Sequence, residues 1–98
     1  MNESPTSQYV LKFAERMEAK LSMNRHKGDR GGWLAASPEV LLHRLKQELK
    51  EMEDAFWKGD AEATANECAD VANFAMMIAD WFTSYAEIKT TRPTNQGG

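Results

Sequence analysis

The 98-residue chain has a single cysteine, Cys68, and two histidines. With those residues one chain can build neither an internal disulfide nor a thiolate zinc site, and a reducing, cytoplasmic setting is the expectation. The Glu-x-x-His motifs used by carboxylate-bridged iron bundles are also absent. No apolar run approaches the roughly 18 residues of a membrane span, and the polar stretch 1–6 does not read as a secretion signal, so no membrane partner is expected. Basic residues are too few for a phosphate-backbone binder: 12 Lys and Arg against 15 Asp and Glu leave a net charge of -3, which disfavours a nucleic-acid polymer as partner. What remains, 42% hydrophobic and 28% charged, is the composition of one globular domain.

Three segments carry a helical period and none alternates like a strand. The predicted fold is therefore all-α, a bundle of three main helices completed by oligomerisation, with residues 1–88 forming one domain and 89–98 a disordered tail. In residues 7–23, Val10, Phe13, Met17 and Leu21 recur at spacings of three and four, with Lys12, Glu15, Arg16 and Lys20 outside the stripe. Residues 24–36 hold Gly28, Gly31 and Gly32 among Arg25, His26, Lys27 and Arg30, which predicts a basic loop. Ser37, Pro38 and Glu39 then open a helix with a hydroxyl cap, a proline in the first turn and an acid at the positive dipole end. Lys58, Gly59 and Asp60 close that helix and cap the next, which runs over about 26 residues, 61–86, without Gly or Pro.

At about 100° per residue, Leu41, Leu45, Leu49, Met52 and Phe56 form the predicted core stripe of the second helix, and Val71, Ala75, Ile78 and Phe82 that of the third. Glu48 and Glu51 lie on one side of the first stripe, about 60° and about 120° from its centre. Glu67 and Asp70 lie about 40° and about 100° from Val71. If the hairpin brings these edges together, four carboxylates converge and need a cation or protons, because burying each charge uncompensated costs several kcal/mol. An all-oxygen set suits Mg²⁺ or Mn²⁺ and points to phosphate chemistry. The alternative is a solvated face on which Lys46 and Lys50 pair locally with the acids.

These residues carry a family resemblance. Gln47-Glu48-Leu49-Lys50-Glu51, a gap, then Glu67-Cys68-Ala69-Asp70 resembles the E-E-x-x-E and E-x-x-D signature of the MazG-like all-α nucleoside triphosphate pyrophosphohydrolases. That superfamily also includes dimeric dUTPases, dCTPases and phosphoribosyl-ATP pyrophosphatases. Gln47 stands where the signature has its first Glu, on a side turned about 160° from the stripe. Lys20-Leu21, Asn24, Lys27-Gly28, Trp33 and the segment ECADVANFAMMIAD look like the phage and bacterial branch. The resemblance implies Mg²⁺-dependent cleavage of a nucleoside triphosphate between the α and β phosphates, with Glu48, Glu51, Glu67 and Asp70 holding metal and Glu48 or Glu51 taking a proton from water.

Arg25, Lys27 and Arg30 either contact substrate phosphate or are scattered charges of a solvated loop, and Trp33 either stacks on a base or anchors the loop. Phe74 either borders a nucleoside pocket or packs in the core. Asn73 and Asp80 fall on the polar back of the third helix and read as solvated within one chain, while in an oligomer either would reach a neighbouring site. Phe74, Met77 and Trp81 widen the apolar surface beyond one stripe, which predicts a homodimer or homotetramer. The competing function is a non-catalytic helical oligomer that binds a protein partner.

Overall fold

The computed structural model describes residues 6–24 and 28–91, with side chains through 84. The described residues are all-helical: α1 (Gln8–Met23), α2 (Arg30–Ala35), α3 (Pro38–Lys58) and α4 (Ala61–Thr91). Ser7 caps α1 by accepting from the Tyr9 amide, and Ser37 caps α3 by accepting from the Val40 amide at 3.2 Å. Gly59 ends α3 in the left-handed region (φ 75°), where a side chain would be strained, and its amide bonds back into the last turn. Asp60 then accepts from the Ala63 amide at 3.0 Å and starts α4. The chain thus turns back within two residues, as the sequence predicts.

A fourth helix corrects the predicted basic loop. Residues 30–35 are helical despite Gly31 and Gly32, because tertiary contacts override propensity. The Arg30 guanidinium makes two 2.9 Å bonds to the Asp80 carboxylate, Trp33 Nε1 donates to the same group at 2.7 Å, and Ser84 joins the network. These donors hold the Asp80 carboxyl well below the usual carboxylate range, Arg30 first and Trp33 second. Asp80 is therefore the anchor of α2, which corrects its reading as a solvated residue. α4 also continues to Thr91, past the predicted domain end at 88.

The most buried positions of α4 lie opposite the predicted stripe, of which Val71 and Ile78 are half-buried. Ala69 is fully buried and Asn73 is 4% exposed, both about 160° from Val71, while Ala75 and Phe82 are exposed. This back is covered by α1 and α2: Arg16 bonds Glu62 and Asn66, Asn73 Nδ2 donates to the Met17 carbonyl at 3.0 Å, and α2 sits on Asp80. Ala69 has the small side chain that a close helix approach requires. On α3 the buried residues are Leu41 and Ala55, with Glu48 half-buried on the same line. That seam lies about 60° from the centre of the predicted stripe, so Leu49 and Phe56 are exposed. On both helices the apolar stripe is displaced from the seam in the same rotational sense. In an antiparallel hairpin that places both stripes on one side, opposite α1 and α2.

Candidate metal centre

The hairpin sets the register of the acids. Glu48 stands 11 residues before Gly59 and Asp70 stands 11 after it, so each lies about 16 Å from the turn along its helix. Glu48, Glu67 and Asp70, all half-buried, offer carboxylate oxygens that lie within 4.8 Å of one another. Glu67 Oε1 is buried without a hydrogen-bond partner. Glu51 is exposed and lies outside this triad, yet its charge reaches Glu48 and Glu67. Among the described residues the cation paired with the triad is Lys20 of α1, whose Nζ is 3.5 Å from Asp70 Oδ2. Lys50 pairs instead with Asp54 along α3, so it does not neutralise the cluster.

Crowding raises the proton affinity of this group. Glu48 is pushed up to about 7, first by burial, then by the charges of Glu51 and Asp70 and by its hydrogen bond to Glu67. Burial also raises Glu67, opposed by the bond from Glu48 and by the charge of Lys20. Folding therefore favours the protonated forms. A carboxyl raised in the folded state contributes stability below its unfolded value near 4.5, and loses it as pH climbs through about 7. The cation-free chain is expected to melt lower at pH 8 than at pH 5. After discount for solvent screening the loss is about 1 kcal/mol, or roughly 4–8 °C in a domain of this size. Mg²⁺ should recover the difference at pH 8, and thermal melts at both pH values with and without the ion check it.

The donor set fits a hard divalent cation. Every side chain in the triad offers oxygen, none offers nitrogen or sulfur, and the unpartnered Glu67 Oε1 is a buried acceptor in want of a positive partner.

A cavity of about 370 Å³ opens beside the acids. Glu48 and Asp70 are among its lining residues, and Trp33, Leu41, Phe74 and Met77 add aromatic and aliphatic surface. Trp33 thus does two things, anchoring α2 through Asp80 and facing the cavity. Phe74 and Met77 line the cavity, so of the two expectations for Phe74 the structure has it at a pocket border. Asn73 also lines it, so the expectation of a solvated residue that serves a neighbouring subunit is corrected. Its Nδ2 is fixed on the Met17 carbonyl, and its buried Oδ1 has no partner. Arg30 is committed to Asp80 and does not line the cavity. Arg25 and Lys27 lie outside the described residues.

Two cavity residues escape the sequence reading. Arg44 lies one helical turn before Glu48 on the same face, with its guanidinium 5.3 Å from the centre of the Phe74 ring. Lys20 lies about 60° from the α1 stripe, the same border position that singled out Glu48. Applying the border criterion to cations as well as to acids would have found both.

No family model matches this sequence, and no solved structure matches it. The chain is similar to an uncharacterized protein of Archaeoglobus fulgidus, 38% identical over 69 residues that span 68% of this chain and 74% of that protein.

Proposed function

This chain belongs to the same family as the Archaeoglobus fulgidus protein, and from its own site we propose that it is an Mg²⁺-dependent nucleoside triphosphate pyrophosphohydrolase. The observation that carries this reading is the meeting of three carboxylates from two helices beside a cavity with aromatic walls. The choice of the bond between the α and β phosphates follows the MazG-like resemblance of the same residues. Glu48, Glu67 and Asp70 would hold Mg²⁺ or Mn²⁺, with Glu51 completing the acidic edge. Such an ion, when bound, supplies positive charge to phosphate oxygens and acidifies a bound water.

The remaining roles belong to the chain. Glu51, exposed and outside the triad, would receive a proton from the attacking water, with Glu48 as the alternative base. Water adds to the α phosphorus as the bond to the bridging oxygen breaks, so the products are a nucleoside monophosphate and pyrophosphate. Trp33 and Phe74 offer ring surfaces to the nucleoside, and Asn73 Oδ1 offers an acceptor. The open apolar side of the α3–α4 hairpin supports self-association as a homodimer or homotetramer.

The test is a panel of canonical and modified nucleoside triphosphates with Mg²⁺, scored for pyrophosphate and orthophosphate. Stoichiometric monophosphate and pyrophosphate from at least one substrate is the expected outcome. Orthophosphate as the first product overturns the bond assignment. No turnover, joined to no thermal shift with Mg²⁺ and nucleotide, overturns the enzyme reading in favour of a partner-binding oligomer.

A further inference from the structure

We infer that Lys20 and Arg44 are cations that receive the phosphate chain of the ligand, a part that Arg30, held on Asp80, does not take; this rests on the hydrolase reading above. Both line the cavity that holds Glu48 and Asp70, and they approach it from different helices, Lys20 from α1 and Arg44 from α3. Arg30, the described member of the basic segment, is already held on Asp80 through two hydrogen bonds.

Arg44 is prepared for an anion. Among the described residues it has no carboxylate partner, and it is held by the face of Phe74 at 5.3 Å. A guanidinium carries its N–H donors in one plane, the fork that matches two phosphate oxygens, and an aromatic ring leaves that fork without a carboxylate to occupy it. Phe74 itself lines the cavity, so the cation–ring pair sits beside the space a ligand would fill.

Lys20 has a different part. Its 3.5 Å separation from Asp70 is long against the roughly 2.7–2.9 Å of a tight charge-assisted bond, so it is held loosely. In the cation-free chain it offsets part of the acidic charge. With a divalent ion on the acids, Lys20 would exchange Asp70 for a phosphate oxygen in the cavity that both residues line. Arg44 then meets the phosphate chain from α3. An anion approaching the bare acids would be repelled, so the two cations act only together with the metal.

The test is calorimetric titration of Mg²⁺ alone, and of an α,β-methylene nucleoside triphosphate in the presence of Mg²⁺. Arg44→Gln should leave the Mg²⁺ affinity unchanged and weaken the analogue about tenfold or more, with Arg44→Lys partly restoring it. Lys20→Met should tighten Mg²⁺ alone by a few-fold, because a competing cation is gone, while weakening the analogue about tenfold. Unchanged far-ultraviolet dichroism confirms that the variants are folded. If the wild-type chain binds the analogue and either variant binds it equally well, the assignment of that residue is overturned and the hydrolase reading stands. If Lys20→Met binds Mg²⁺ no more tightly than wild type, its exchange role is overturned. If the wild-type chain binds neither probe, both readings fall.

Discussion

Replacing Glu67 with Gln is expected to reduce pyrophosphate release by about a hundredfold or more while making the cation-free chain melt higher. The two effects have one cause. Glu67 contributes a buried carboxylate to a crowded acidic group, and its proton affinity is raised by burial and by Glu51 and Asp70. An amide of the same shape removes a charge that folding disfavours and can still bond to Glu48. The same amide is a far weaker ligand for a hard cation. Asp70→Asn should cost as much activity without the gain in stability, because it also dissolves the ion pair with Lys20. Paired melts and initial rates separate the cases. Turnover within a few-fold of wild type in Glu67→Gln would remove this carboxylate from the machinery.

The elements and turns were open to sequence reading because local chemistry decides them. Ser37-Pro38-Glu39 and Lys58-Gly59-Asp60 carry their capping roles in the residue types themselves, and the structure places both boundaries there. The rotation of each helix was less legible. Periodicity finds an apolar stripe but does not say what covers it, and a helix with two covered faces has more buried positions than one stripe can mark. On α4 one cover, α1 and α2, meets Asn66, Ala69, Asn73 and Asp80, residues whose polarity and size hide them from a hydrophobic count. The other cover, α3, meets the acidic edge. Glu48, Glu67 and Asp70 were legible because they border a stripe, a property that survives a rotation of about 60°. Asn73 was not, since its burial depends on a carbonyl of another helix. The Gly31–Gly32 helix was equally hidden, because the groups that hold it lie about 50 residues away on α4.

Phe56→Glu and Phe82→Glu, singly, are each expected to convert a self-associated chain to monomers at micromolar concentration. The seam between α3 and α4 leaves Leu49, Phe56 and Phe82 exposed, at 38%, 58% and 55%, on the side of the hairpin that α1 and α2 do not cover. Phe56 lies three residues before Gly59, while Phe82 lies 23 residues after it, about 34 Å away along α4. The smaller Val71 and Ala75 lie between. A twofold axis through the middle of such a face brings the Phe56 end of one protomer onto the Phe82 end of its partner. Each contact is then made twice, so one substitution removes two of them. Burying the exposed part of one Phe contributes about 2–3 kcal/mol, and its double loss should raise the dissociation constant at least about a thousandfold. Because α1, α2 and the acids are on the other side, helicity and Mg²⁺ binding should survive in both variants. Sedimentation velocity across a concentration series reads the outcome. A wild-type chain that stays monomeric throughout, or an assembly indifferent to both glutamates, would show that this face does not carry self-association.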